Sequence, residues 1–599
     1  MFRLPKVVGV ACSLLALANL ASQKYPAIQS AKPVAASGEN GFVGNEACAR
    51  CHAAIFESYQ RTAMAHASGP AIETVASDTV AGEAVASDAV APAEFDHKPS
   101  GVHYRIYREG GRAWLSYDRP GNGRPGDTSL HGKKELLYYI GSGRRGRSYL
   151  FETDGFLFES PVNWYANKQT LDMAPAYQSA REIPLNLPAY TSCLHCHVSG
   201  MQPPLKGTAN RYPTPAFTHN GVSCERCHGP GAAHINAGAH INAGAQANGG
   251  AIVNPAKLSA ARRDEVCMQC HLEGKVAIER AGRHVYEFRP GAALADYIRY
   301  FVLVGGQSGG QDAGQGAGLG AVSQVEALAQ SGCKKKAGDA MWCVSCHDPH
   351  RSPAPEERVA YYRGKCLACH GESFAAKHHA DHPDCTACHM PASPSTDVAH
   401  TQVTDHRIPR RTQVSPRFLQ DADVRGSSPK LVPFPDSQEV DPRDLALAWE
   451  SLVESGMTAA EPQTQKLLAA ALKESPNDPA LLAALGYIEQ KRGATENARE
   501  LYQQALRADP DLIDAATNLG VIEAQKGHLQ DAVKLWQDAF RRAPDRSSIG
   551  MNIARVYCQA EKYDEARKIV VRVLEFNPDL DSAKKILQGL SGTPASCRP

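Results

Sequence analysis

Residues 224–234 read CERCHGPGAAH: two cysteines flanking two residues, a histidine directly after the second, and another histidine six positions on. The five-residue form recurs along the chain. It appears as Cys48, Cys51 and His52; Cys193, Cys196 and His197; Cys224, Cys227 and His228; and Cys267, Cys270 and His271. It returns as Cys343, Cys346 and His347; Cys366, Cys369 and His370; and Cys385, Cys388 and His389. Fourteen of the 18 cysteines fall into these seven units, so their spacing, rather than the general composition, decides what kind of protein this is.

Three chemistries use closely spaced cysteines. Disulfides need no histidine after every second cysteine, and tetrahedral zinc sites would require the pairs to combine. Covalent attachment of haem c needs this order: two thiols add to the two vinyl groups and the adjacent histidine binds iron. The reading is seven haem c groups, each bringing an iron. Their propionates would take the holoprotein well below the chain's formal charge of +1 and favour a basic redox partner.

Seven irons call for up to seven further ligands, and 16 histidines lie outside the motifs. Those nearest the motifs are the candidates: His234 in CHGPGAAH, His350 in CHDPH, and His400 and His406 in VAHTQVTDHRI. In KHHADHPDC, His378, His379 and His382 compete, with His382 favoured because Pro383 fixes its backbone. His219 and His195 are further possibilities, whereas His240 comes from a duplicated HINAGA and is set aside. For the first motif, Met64 and His66 are alternatives; methionine would raise the iron's potential and histidine lower it. His234 is expected to serve a different iron from the one His228 holds.

The rest of the chain gives a mainly α fold in parts. Arg3 and Lys6 precede an apolar run, Val7 to Leu20, with small residues to residue 21, which reads as an export signal over 1–21. Residues 22–97 hold the first haem site and an acidic, low-complexity insert, and 98–190 read as a small β-rich segment of alternating strands and glycine turns. Within it GSGRRGRS, 141–148, is either an anion seat or an exposed basic turn. Six motifs crowd into 191–411, leaving too few residues for an ordinary core, so the porphyrins are expected to supply it. A Pro-, Ser- and Asp-rich linker, 412–441, leads to 442–592, where Pro476, Pro510, Pro544 and Pro578 recur every 34 residues with Gly486, Gly520 and Ala554 in register. That is the tetratricopeptide period, an α-solenoid able to bind a protein or peptide ligand. Cys558 is expected in its core; Cys333 and Cys597 have no assigned role.

GVSCERCHGPGAAH, NPAKLSAARRDEVCMQCHLEG, WCVSCHDPH, DCTACHMP with VAHTQVTDHRI, and YYIGSGRRGRSYLF together resemble exported multihaem c-type cytochromes with doubled CxxCH motifs. These are related to cytochrome c-554 and often fused to tetratricopeptide repeats. The resemblance implies mostly bis-histidine iron, favours His234, His350 and His406 as distal ligands, and places the protein in the periplasm or beyond. It implies an electron carrier between redox partner proteins, with a membrane-associated complex as one setting. The alternative is a multihaem oxidoreductase acting on a nitrogen or sulfur oxyanion, which would need an open iron. Near-neutral charge and 7% aromatics argue against nucleic acid as a partner.

Overall fold

The computed structural model describes residues 41–75, 93–121, 129–236, 252–304, 323–378, 381–395, 402–410, 429–435, 440–590 and Cys597. The expected export signal, the acidic insert, the duplicated HINAGA stretch with His240, the glycine-rich 305–322, His379 and His400 lie outside the described residues.

The alternating segment builds a ten-stranded antiparallel sheet: β1 (Ser68–Pro70), β2 (Ala93–His97), β3 (Val102–Glu109), β4 (Arg112–Arg119), β5 (Leu130–Ile140), β6 (Gly146–Thr153), β7 (Phe156–Glu159), β8 (Val162–Tyr165), β9 (Thr170–Met173) and β10 (Leu187–Pro188). Its main path runs β10-β7-β6-β5-β4-β3-β2, with β1 on β5 and β8 on β6. Period-two burial puts Val102, Tyr104 and Ile106 of β3 and Ala113, Leu115 and Tyr117 of β4 in one core. Gly110 and Gly111, both at positive φ (59° and 73°), make the two-residue turn between β3 and β4; that conformation matches strand twist and suits glycine. The segment is therefore larger than the small unit its sequence suggests, and its far face forms a second cluster with Leu194 of the second motif fully buried.

The repeats run from Pro442–Glu454 to Asp581–Gly589 as helical pairs. The small residues in register mark where helices touch. A Cβ on Gly486 would meet the Tyr502 ring at 2.8 Å, and Ala498, Ala532 and Ala566 are completely buried.

The solenoid is fastened to the rest of the chain at both ends. At its start, Pro442–Glu454 packs Trp449, Leu452 and Val453 against Val276, Phe301 and Leu431 of a three-stranded sheet, Val276–Glu279, Ile298–Val304 and Lys430–Phe434. Residues 430–434, expected within a linker, are thus a strand: Val432 and Leu431 continue the ladder on Val302 and Leu303. Beside it Arg280 bridges Asp441 at 2.7 Å and also pairs with the fully buried Asp444. At its other end Phe576, 1% exposed, enters the core of the large sheet, and Asp579 accepts a two-pronged bond from Arg119. Cys558 and Cys597 form a disulfide that ties the C-terminal end to helix Ser547–Gln559.

Candidate metal centres

Six motifs fall on α-helical turns, the first kinked at His52, and the fifth on the 3₁₀ turn Cys343–Ser345, beyond which the His347 amide still bonds Cys343 O at 2.9 Å. Helical positions i, i+3 and i+4 share a face, so the spacing aims both thiols and the imidazole the same way. Gly229 (φ 81°) and Gly371 (φ 71°) stop the third and sixth helices immediately after His228 and His370, a left-handed stop that suits glycine.

The motifs meet one another. Thiol contacts join Cys48 to Cys224, Cys196 to Cys270, Cys267 to Cys343, and Cys366 to Cys385. Cys333, on Gly332–Ala337, sits near Cys346 and Cys366. Glu225, 1% exposed within the third motif, accepts backbone N–H bonds from Val43, Gly44 and Gly231 at 2.8–2.9 Å, which fixes the approach to the first motif.

Three motif histidines face a second imidazole from outside their own motif, two of these from distant segments and one, His378, from the stretch leading into the seventh motif. His228 and His350 have ring centres 5.9 Å apart and nearly parallel planes (10°). His347 and His406 stand at 6.2 Å, and His389 and His378 at 5.9 Å. Two metal–imidazole bonds of about 2.0 Å, each continued by half a ring, span about 6 Å, so these pairs fit iron held from both sides.

The remaining ring nitrogens support the same fit. Nδ1 donates to the carbonyl of Val253 from His228 (2.8 Å), of Pro409 from His389 (2.9 Å), of Thr404 from His406 (2.9 Å) and of Ala67 from His197 (3.2 Å). His271 Nδ1 lies 3.2 Å from Gln324 Oε1, and His347 Nδ1 3.4 Å from the Tyr362 hydroxyl. A proton held on Nδ1 leaves the Nε2 lone pair for a metal. Burial, then the neighbouring His406, pushes His347 down to about 4; burial also lowers His228, His406 and His197, keeping these rings neutral and able to ligate.

Two further observations bear on what the site could hold. Helix Arg358–His370, 13 residues carrying the sixth motif, has no buried residue, and neither has Cys385–His389 with the seventh. An amphipathic helix normally covers its apolar face, and a porphyrin on each would do so. Among the described residues, the cysteines make no group of three or more donors able to share one ion; the group that does, Glu523, His528 and Asp531, lies in the repeats, where Arg499 already pairs with Glu523. The donor set suits haem c and not tetrahedral zinc.

The other candidates are placed as follows. His234 is half-buried on Ala232–Asn236, a short helix whose first amide bonds Gly41 O at 3.0 Å, beside the segment entering the first motif. The His219 ring lies against Gly44 in the same place. His66 has its Nε2 on Gln60 O at 2.6 Å, and Met64 is half-buried with its carbonyl taken by Val222 N. His382 is exposed, while its neighbour His378 is the ring that stands opposite His389. The carbonyls and hydroxyl that anchor Nδ1 could not be singled out from sequence, because they come from Val253, Pro409 and Tyr362, residues of no distinctive chemistry. Among the described residues no helix is long and apolar enough to cross a membrane.

Comparison with known families matches three segments. Residues 163–229 match cytochrome c554 and c-prime, 336–376 the doubled CXXCH motif, and 457–589 the tetratricopeptide repeat protein 21 C-terminal ARM domain. Solved structures similar to part of the chain include MamA from AMB-1, at 20% identity, covering 25% of this chain and 88% of that one with a TM-score of 0.23. Pseudomonas aeruginosa pilF is another, at 22% identity, covering 25% of this chain and 68% of that one, also at 0.23. No curated protein matches the chain. The chain resembles multihaem c-type cytochromes of the c554 and doubled-CXXCH kinds, joined to a tetratricopeptide-like repeat region suited to protein docking.

Proposed function

We propose that this chain is a heptahaem c-type cytochrome that carries electrons between redox partner proteins outside the cytoplasm, with its repeats available for protein docking. The observation that carries the reading is the set of three imidazole pairs about 6 Å apart, each joining a motif histidine to a histidine from elsewhere. Haem iron supplies one-electron redox chemistry when bound. The protein's own residues do the rest. Fourteen thiols would tether the haems, His52, His197, His228, His271, His347, His370 and His389 would each give an iron one ligand, and His350, His378 and His406 would give three of them a second. Val253, Pro409, Thr404, Ala67, Gln324 and Tyr362 hold the imidazoles in the ligating tautomer. Two-sided capping suits transfer over catalysis, since a closed iron offers a substrate no place to bind.

His234 and His219 compete for the first iron alongside Met64 and His66, and His382 and His400 remain candidates for others. The thiol contacts between motifs bring neighbouring sites close enough for electrons to pass along the chain. Export through residues 1–21 to the periplasm or beyond agrees with the Cys558–Cys597 disulfide, which persists in an oxidising compartment. Mass spectrometry and electron paramagnetic resonance of the mature protein test the proposal together. The expected result is a mass heavier by seven haems and low-spin ferric signals. A mass matching the bare polypeptide overturns it, and a stoichiometric high-spin signal with substrate turnover replaces transfer by the oxidoreductase reading.

A further inference from the structure

The second, third and fourth motifs interlock through the residues between their cysteines. Arg226, from CERCH, is 8% exposed and donates from Nη2 to the carbonyl of His195, from CLHCH, at 2.9 Å, with the His195 ring nitrogens at 3.1 and 3.2 Å. Gln269, from CMQCH, donates to Arg226 O at 3.2 Å. Arg226 also lies beside the Cys270 thiol, and its charge reaches Cys196 and Cys227. A second guanidinium, Arg289, lies close enough for the two to repel. It donates to Tyr286 O and Phe288 O and covers the Phe42 ring at 5.1 Å.

Among the described residues, neither arginine is in a salt bridge with a carboxylate. Glu225, adjacent in sequence to Arg226, spends both oxygens on the amides of Val43, Gly44 and Gly231. Glu287 caps the His284 amide and acts on Arg289 only at a distance. A positive charge in a low-dielectric interior acts strongly on the groups around it. Here the buried Arg226 and the half-buried Arg289 sit together with carbonyls, an imidazole and a ring as their neighbours, at the point where three motifs meet. What such a charge favours is the arrival of negative charge nearby.

Given the heptahaem reading, on which this rests, we propose that Arg226 and Arg289 form an electron-holding node, setting the sites tethered at Cys196, Cys227 and Cys270 at the upper end of the protein's range of reduction potentials. Each site takes one electron, ferric to ferrous, with no bond made or broken, and the added negative charge is stabilised by the two guanidiniums. Electrons entering anywhere along the chain would collect here before leaving.

The test is a spectropotentiometric titration of holoprotein, with dithionite as reductant and mediators present, comparing the parent with R226Q, R289Q and R226K. Mass spectrometry first establishes the haem count of each. The expected result is that the highest-potential components shift downward in R226Q and in R289Q while the lowest stay in place. R226K, which keeps the charge and loses the planar fork, should stay near the parent. Unshifted upper components in fully loaded R226Q or R289Q overturn the proposal. So does an equal shift in R226K, which would make packing rather than charge the cause. If R226Q fails to mature, R289Q reads the same quantity from a residue outside the motifs, and loss of haem from both would assign the pair to assembly and overturn the node. A parent without seven haems would instead refute the underlying function.

Discussion

The contact between the last repeats and the large sheet can be broken at one side chain. Phe576 ends helix Tyr563–Phe576, is 1% exposed, and presents its ring edge-on to Phe156 at 6.0 Å and Phe158 at 5.8 Å. Removing such a ring costs about 3–5 kcal/mol through lost burial and a residual cavity. Edge-to-face pairs contribute about 0.5–1.5 kcal/mol each within that. Asp579, three residues on and 2% exposed, would keep its bonds from Arg119, Lys584 and the Ile183 amide, so the junction should loosen rather than dissolve. Taking about 3 kcal/mol, Phe576→Ala should raise local opening by about two orders of magnitude. Hydrogen exchange with mass readout suits a multi-part protein, for which one global unfolding free energy is ill defined. Faster exchange is expected in Tyr563–Phe576 and in the facing strands β6 and β7, with helices Pro442–Glu454 and Glu461–Glu474 unchanged. Val571→Ala is the control: that side chain is 43% exposed on the same helix, and its loss should change little. Parent-like exchange on both sides of the junction in Phe576→Ala would refute the claim that the solenoid and sheet share a core.

Four other outcomes follow from the same structure. Arg119 and Lys584 outweigh burial to hold Asp579 below the usual carboxylate range. A depressed carboxylate stabilises above its unfolded value of about 3.9, so the junction should weaken as pH falls below about 4, read as rising exchange in β6 and β7. On helix Pro442–Glu454, burial and then Glu454 push Glu450 up to about 8. A raised carboxylate costs stability that grows from its unfolded value upward and is complete above its folded one, so E450Q should raise the solenoid's melting temperature at pH 8 and leave it unchanged at pH 4. The Cys558–Cys597 bridge closes 39 residues, worth about 4 kcal/mol of unfolded-chain entropy; C558S should lower the melting temperature of the last repeats, and an equal midpoint would show that the bridge contributes nothing. Finally, H350A, H378A and H406A should each convert one low-spin signal to high-spin, whereas H382A should convert none if His378 is the partner of His389.

The parts of this fold that could be read from sequence are those fixed by local spacing. CxxCH is legible because three groups must reach one porphyrin edge from a single helical turn, and the repeats are legible because one helix contact recurs with small residues in register. The strands of 98–190 showed in their alternation, though not the ten-stranded sheet they make with Ser68–Pro70, whose pairing with β5 is long-range. The histidine pairs were legible only as supply. CHDPH and TDHRI mark His350 and His406 as available, but that they face His228 and His347 depends on chain reversals that no local pattern encodes. Pro383 pointed to His382, yet the ring opposite His389 is His378, reached through the short helix Glu372–Ala375. Least legible were the residues between the cysteines. Local spacing gives them no role, but Leu194 anchors the sheet, Glu225 holds the first motif's approach, and Arg226 joins three motifs.

The fastening of both solenoid ends changes how docking by the repeats should be tested. As a detachable module, residues 442–599 could be deleted and the loss of electron delivery read as the loss of a partner. Here deletion would strip Trp449, Leu452 and Val453 from the three-stranded sheet and Phe576 from the ten-stranded one. It would also leave Arg119 and Arg280 without Asp579 and Asp444. The exposed apolar surface would disturb Ile298–Val304 and its partner Val276–Glu279, the strand that follows the fourth motif, and β7, whose Leu157 packs with Leu194 of the second. Failure of the truncated protein to accept electrons would therefore report damage around the haem tethers as readily as a missing partner. Charge reversals at exposed solenoid positions, such as Lys585→Glu and Glu500→Lys, leave both cores intact. If the repeats dock a redox partner, some of these should slow electron entry while leaving the potentials and haem count at parental values. A full surface scan with parental rates would mean that the solenoid's task is to hold the sheet and the haem region in one piece.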